Sequence, residues 1–184
     1  SNIADLHSEW AFTTPDSYFA MASGALGWDL SAAVGVALAE RDLGRNRPVL
    51  AVIGDGSLQF SPQALYTAAQ HELPLVVVVP NNGEYGILKA FAKFQRNPGV
   101  PGLDLPGLKP HRVAEAYGAE GVVASTAAEV RSALAQAWER KGPTAIEVPI
   151  DPAIPAWVTT AARRTPTGST SSRRCRAPEP TSTG

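Results

Sequence analysis

"GDGSLQFSPQALYTAAQHELPLVVVVPNN" (54–82) holds, in order, a Gly-Asp-Gly mark, a helical pattern, a run of valines and an Asn-Asn mark. The run Leu73–Pro80 is apolar at every position, as a strand buried on both faces of a parallel sheet requires. "PVLAVIG" (48–54) reads as a strand ending on the first mark. Two strands joined through a helix make a parallel unit, and in open parallel sheets ligands sit beyond the carboxyl ends of the strands. Both marks fall at that edge, with 24 residues between them. Asp55 offers a carboxylate there, while Asn81, Asn82, Gly83 and Glu84 offer amide and carbonyl oxygens. One carboxylate, one amide oxygen, one carbonyl and phosphate oxygens suit octahedral Mg²⁺, which usually shares substrate phosphates. Each mark alone reads as a turn. The pair at one edge points to a metal and a phosphate.

Outward from this stretch the alternation continues. "SYFAMAS" (17–23) reads as a strand and "LGWDLSAAVGVALAERDLG" (26–44) as a helix stopped by Gly44. "SPQALYTAAQHE" (61–72) is predicted to be a helix with Ser61 as N-cap and Pro62 at the first helical position. A helix over 85–95 precedes the loop "RNPGVPGLDLPG" (96–107), whose three prolines and three glycines forbid continuous helix. A helix over 109–119, a strand over 120–125, a helix over 126–142 and a strand over 143–150 follow. Thr126 and Glu129 form a capping-box pattern, and Gly142 is the stop. The expected fold is a doubly wound α/β sheet flanked by helices.

The 184 residues suit one domain with a sizeable core. The net charge of −1 gives no reason to expect a nucleic-acid partner. Residues 159–184 carry five Arg and one Glu, a net of +4, which leaves −5 for the rest. The expected division is a binding domain over 1–152 and a Pro/Ser/Thr/Arg-rich tail over 153–184 with too little to bury for folding. The longest apolar run is too short to span a bilayer. No basic-then-apolar leader opens the sequence, and its single cysteine, Cys175, fits a reducing compartment, so the expected location is cytoplasmic.

A GDG followed about two dozen residues later by NN, across a helix and an apolar strand, resembles the thiamine-diphosphate motif. The resemblance is to the C-terminal diphosphate-binding domain of the 2-keto acid decarboxylase and acetolactate synthase superfamily. It extends over residues 1 to 150 through "ASGALGWDLSAAVGVALAE" (22–40), "NNGEYGILKAFA" (81–92) and "VPGLDLPG" (100–107), which look most like the benzoylformate decarboxylases. It implies the thiamine-diphosphate-binding fold, with thiamine diphosphate and Mg²⁺ as cofactors. Asp55, Asn82 and the carbonyl of Glu84 would hold the metal. Gly56 and Ser57 would bind the diphosphate, with Tyr85 beside it. Gly24 would present its carbonyl to the aminopyrimidine, and Leu26 would support the bent cofactor; the alternative for Leu26 is an ordinary core leucine. Ser1 and Asn2 match a polar pair that touches the phosphates, or else are left from tag cleavage. Ile87, Leu88 and Phe91 would line the substrate pocket and suit an aryl or branched 2-keto acid. Ile87 and Phe91 share a helical face, which would serve equally as plain core.

The resemblance also implies what is missing. Related enzymes take a catalytic glutamate from a pyrimidine-binding domain of a neighbouring subunit, and their proton-transfer histidines lie outside this domain. His7, His71 and His111 match no catalytic position and are expected at the surface or with satisfied partners; Glu40 and Glu84 lack the glutamate's context. No catalytic residue is therefore expected here. The chain reads as a fragment, inactive alone, of an enzyme that is a homo-oligomer when full length. An acetolactate-synthase-like carboligase, a non-catalytic phosphate-binding module and a structural fragment that assembles with other chains are the alternatives.

Overall fold

The computed structural model describes residues 9–21 and 24–152. Ser1, Asn2, His7 and the tail expected over 153–184 lie outside the described residues. Helix α1 (Trp28–Asp42) leads to β1 (Val49–Val52), then α2 (Asp55–Leu58), α3 (Ala64–Gln70) and β2 (Leu75–Asn81). Next come α4 (Gly86–Phe94), α5 (Pro110–Ala116), β3 (Glu120–Val123), α6 (Ala127–Glu139) and β4 (Thr144–Pro149). The strands form one parallel sheet in the order β1-β2-β4-β3.

The valine run is the sheet's centre. Val77 and Val79 face one core with Leu30 and Val34 of α1, Leu65 of α3 and Ala114 of α5. Val76 faces the other, with Ile146 of β4 and Ala133 and Ala137 of α6. Continuous apolarity is thus explained by helices on both faces, and the expected α/β architecture is the one observed. In α6 the capping box forms as expected: Glu129 N–H donates to Thr126 Oγ1 (3.2 Å) and Thr126 N–H to Glu129 Oε2 (3.2 Å). Among the described residues no helix is long and apolar enough to cross a membrane.

Two expectations fail. Residues 17–21 of the segment predicted as a strand are not in the sheet. Their neighbourhood folds on itself: Phe12 stacks on both Trp10 and Tyr18, at ring-centroid distances of 5.4 and 4.4 Å. Asp16 takes a left-handed turn (φ 57°), and Ser17 Oγ donates to Thr14 O (2.6 Å). These local contacts engage Tyr18, which the predicted strand would have placed in the sheet. A cavity of about 620 Å³ remains between this segment, α1 and β1.

Ser61 does not cap α3 either. The helix begins at Ala64 with Gln63 in the cap position and no side-chain cap. Ser61 Oγ instead donates to Gly27 O (2.8 Å), which ties the approach of α3 to the start of α1. Ala64 N–H, Leu65 N–H and Tyr66 N–H donate to the carbonyls three residues back, so Pro62 lies in a tight lead-in rather than at the first α-helical position.

The turn from α1 to β1 is clamped by Glu40, which is only 3% exposed. Arg47 and Arg45 each meet it in a two-pronged fork, with bonds of 2.7–3.2 Å. Hydrogen bonds from Arg47 and then Arg45 hold its carboxyl at about 2, below the ordinary 4.5. A carboxyl depressed in the folded state stabilises above its unfolded pKa, and that contribution is lost as pH falls through the folded one. Melting temperatures measured between pH 6 and pH 2 should therefore fall most steeply between about 4.5 and about 2. Glu40→Gln should melt lower at neutral pH and lose this part of the acid dependence.

Candidate cofactor and metal site

The ends of β1 and β2 are neighbours because the strands pair in register, Val52 opposite Val78, with Ile53 N–H donating to Val78 O (3.0 Å). β2 runs on to Asn81, and α2 turns immediately after Gly54. This puts Asp55 and the 81–84 turn side by side. Asp55 is 3% exposed. Its Oδ1 accepts from Gly56 N–H (2.9 Å) and its Oδ2 from Gly83 N–H (2.9 Å), so the two sequence marks meet through one carboxylate. Burial pushes the Asp55 carboxyl above its ordinary value; the two amides oppose this in part, and the negative charge of Glu147 adds to it. No basic side chain among the described residues forms a salt bridge with Asp55.

The turn is organised around its asparagines. Gly83 N–H also reaches Asn81 Oδ1 (3.0 Å), Glu84 N–H donates to Asn82 Oδ1 (3.3 Å), and Gly83 takes φ 68°. The loop "VPGLDLPG" lies against it: Tyr85 N–H donates to Leu103 O (2.9 Å) and Leu105 N–H to Gly83 O (2.8 Å). Tyr85 O is taken by Lys89 N–H (3.0 Å). Glu84 O, between the two engaged carbonyls, accepts none of the backbone bonds at this turn. The Glu84 side chain is occupied separately, by Lys89, which also meets Asp104.

The other predicted residues fall around this centre. Tyr85 lies over Gly56 so closely that a Cβ there would sit 2.5 Å from Cε1 of the ring. Ser57 Oγ donates to Asp29 Oδ2 (3.1 Å) and accepts from Gly27 N–H (3.4 Å), so the hydroxyl assigned to diphosphate is engaged by the start of α1. Burial pushes the Asp29 carboxyl up, against the bond from Ser57. Gly24 takes φ 69° in the turn that precedes α1. Leu26 is 41% exposed, which excludes an ordinary core leucine within this chain. Ile87, Leu88 and Phe91, on the first turns of α4, are exposed as well, Phe91 by 55%, so their face is not core either. His71 is exposed just past α3, and His111 is bound to Glu147, as expected of histidines without a catalytic partner.

Sequence reasoning missed Glu147 and the role of Asn81. Glu147 Oε1 accepts from Asn81 Nδ2 (2.8 Å), and Oε2 meets His111 Nδ1 (2.5 Å) and His111 N–H (3.2 Å). Burial works against its charge, yet these bonds outweigh it and hold the carboxyl below its ordinary value. A signal was present: an acid inside the apolar strand "AIEV" has to find partners indoors.

The donors suit a hard cation. Among the described residues no cluster of three or more His, Cys, Asp or Glu is assembled for a metal. What the edge offers is oxygen from one buried carboxylate, one amide and one carbonyl, a set that Mg²⁺ completes with phosphate and water. Residues 3–148 match the family described as "Thiamine pyrophosphate enzyme, C-terminal TPP binding domain". The chain belongs to this family. It is 44% identical over 135 residues to benzoylformate decarboxylase of Pseudomonas aeruginosa, covering 73% of this chain and 25% of that one. The structure of benzoylformate decarboxylase from Polynucleobacter necessarius is similar at TM-score 0.81 and 44% identity, over 84% of this chain and 29% of that one. A thiamine diphosphate-dependent 4-hydroxybenzoylformate decarboxylase of Rhodococcus jostii RHA1 matches at TM-score 0.68 and 42% identity, over 73% of this chain and 25% of that one. The chain thus spans about a quarter of the length of these relatives. As a thiamine pyrophosphate-binding domain, it presents the GDG and NN marks of its sequence at one sheet edge.

Gly27 is the position where this edge tolerates least. Its φ is 91°, and a Cβ would stand 2.7 Å from Cβ of Phe60, a contact that a rotamer change cannot relieve. Gly27→Ala should cost at least about 1–3 kcal/mol from the left-handed backbone alone. Urea unfolding checks this, with Gly24→Ala, which meets nothing within 4 Å, as the comparison for backbone strain without a clash.

Proposed function

We propose that the chain is the diphosphate- and Mg²⁺-binding part of a thiamine-diphosphate-dependent decarboxylase acting on an aromatic 2-keto acid, as benzoylformate decarboxylases do. The observation that carries the metal is Asp55: a buried carboxylate, aligned by backbone amides from two strand ends, with no cationic side chain among the described residues paired with it. Asp55, Asn82 Oδ1 and Glu84 O are the residues that would hold Mg²⁺ against the diphosphate. Gly56 and Tyr85 would form the adjoining wall, where the absence of a Cβ at Gly56 leaves room for the ring. Ser57 would reach the diphosphate by giving up its bond to Asp29. Gly24 and Leu26 would carry the aminopyrimidine and the bend.

When bound, thiamine diphosphate supplies the electron sink that a 2-keto acid needs in order to lose CO₂. The chain's own work is to fix that group at the sheet edge and to keep water from it with apolar surface. Ile87, Leu88 and Phe91 offer an exposed apolar face one helical turn beyond the metal loop, suited to an aryl ring. The described residues place no free acid or base beside Asp55: His111 is held by Glu147, and Lys89 by Glu84 and Asp104. A pyrimidine-binding domain, of the same or a neighbouring chain in a cytoplasmic homo-oligomer, would supply the proton-moving groups and cover the apolar face.

Calorimetry with thiamine diphosphate in the presence and absence of Mg²⁺ tests the clamp. Binding should depend on Mg²⁺, and Asp55→Ala should weaken it by more than about 10-fold, since even residues outside the ligand set cost that much. Cofactor binding that ignores both the metal and the substitution would sink the reading. With benzoylformate, Mg²⁺ and cofactor, this polypeptide alone should release no CO₂ above the blank; turnover would show that its own side chains suffice.

A further inference from the structure

We propose that Glu147 is a positioning residue for the metal turn: through Asn81 it fixes the Gly83 amide that aims Asp55, with His111 holding Glu147 from behind. The proposal rests on the metal-diphosphate reading above and extends it to residues that touch neither metal nor cofactor. Glu147 lies on β4 in register with Val79, two residues before Asn81 on the adjoining strand. It is 7% exposed on a strand whose other buried side chains include Ala145 and Ile146. A carboxylate is retained at such a place only with its hydrogen bonds made.

The geometry makes those bonds directional. A carboxylate only accepts, so Asn81 must turn its amide nitrogen toward Glu147 Oε1 (2.8 Å). The Asn81 oxygen then faces Gly83 N–H (3.0 Å), and the same N–H reaches Asp55 Oδ2 (2.9 Å). The chain of contacts is Glu147 to Asn81 to Gly83 to Asp55. On the far side, His111 donates to Glu147 Oε2 from its backbone N–H (3.2 Å) and from Nδ1 (2.5 Å), which leaves Oε1 for Asn81. The peptide of Asn81 is pinned as well, since Ile150 N–H donates to Asn81 O (2.9 Å). The first Asn of the Asn-Asn mark is thus the brace of the turn, and the second its candidate ligand.

Glu147→Gln keeps the size but brings an amide NH₂ against either Asn81 Nδ2 or the His111 N–H. Asn81→Ala removes the brace itself from a half-buried position. Mn²⁺ binding to the full chain in the presence of thiamine diphosphate, followed by electron paramagnetic resonance, is the readout, with the melting temperature of the metal-free protein recorded beside it. Each variant should weaken Mn²⁺ about 10- to 100-fold, and the double variant should be no weaker than the worse single, because both cut one path. Rescue is part of the test: Asn81→Gln should bind Mn²⁺ more tightly than Asn81→Ala. If Asp55→Ala abolishes Mn²⁺ binding while Asn81→Ala and Glu147→Gln stay within about twofold of the parent, the positioning role is wrong and the metal reading stands. Additive losses in the double variant would also overturn it. If Asp55→Ala itself leaves Mn²⁺ binding unchanged, the metal reading falls and this proposal with it. Should Glu147→Gln fail to fold, the comparison of Asn81→Ala with Asn81→Gln decides.

Discussion

The hydrogen bond from Gly83 N–H to Asp55 Oδ2 joins the ends of two parallel strands, and the arrangement of the site follows from it. Parallel pairing of β1 with β2 brings the two ends to one edge, and burial of the valine strand on both faces prevents a slip in register. Gly83 presents its amide from a left-handed conformation that few other residues adopt without strain. Two backbone amides do not fully repay the burial of the charge, as the upward displacement of the Asp55 carboxyl shows. Glu147 makes the imbalance worse rather than better. The charge of Glu147 raises the Asp55 carboxyl, and the hydrogen bonds of Glu147 to His111 and Asn81 keep that charge in place. Such an edge favours a cation, and a cation favours a diphosphate.

What the sequence revealed and what it hid divide along physical lines. The valine run, the Thr126–Glu129 box and the Pro/Gly loop were legible because each is decided locally, by burial period, capping chemistry or backbone restriction. The GDG and NN marks were legible as a pair because strand ends in a parallel sheet share an edge. Residues 17–21 were misread because a short apolar and aromatic run does not state its partner; here Tyr18 stacks on Phe12 rather than joining the sheet. Ser61 was misread because its hydroxyl, which as a cap would accept from a backbone N–H, donates to Gly27 O across the fold. Glu147 and His111 lie 36 residues apart, and the Glu147–Asn81 pair 66 apart; such contacts follow from strand order, which no local pattern states.

The surface beside the site is as informative as the site. Leu26 and Phe60 stand exposed around the start of α1, and Ile87, Leu88 and Phe91 on α4. Scattered apolar residues on a surface are ordinary, whereas a contiguous apolar patch marks an interaction site. The family's name for this domain, a C-terminal one, agrees with the chain spanning about a quarter of its relatives. Under the reading proposed above, the charged half of the cofactor meets the sheet edge, and the apolar face awaits another domain.

Under the reading proposed above, the fold also separates two duties, holding the metal and facing the substrate. The metal turn ends at Tyr85, and its geometry is fixed from behind by β4, α5 and the 103–105 loop. The face carried by Ile87, Leu88 and Phe91 begins only two residues later, yet it belongs to a helix whose buried residues are Ala90 and Ala92. The exposed side chains of α4 are not among the hydrogen-bond partners of Asp55, Asn81 or Gly83. Such a scaffold would hold one cofactor in one geometry while the residues proposed to face the substrate vary. On that reading, chains of this family could share the clamp and differ in the 2-keto acid they accept.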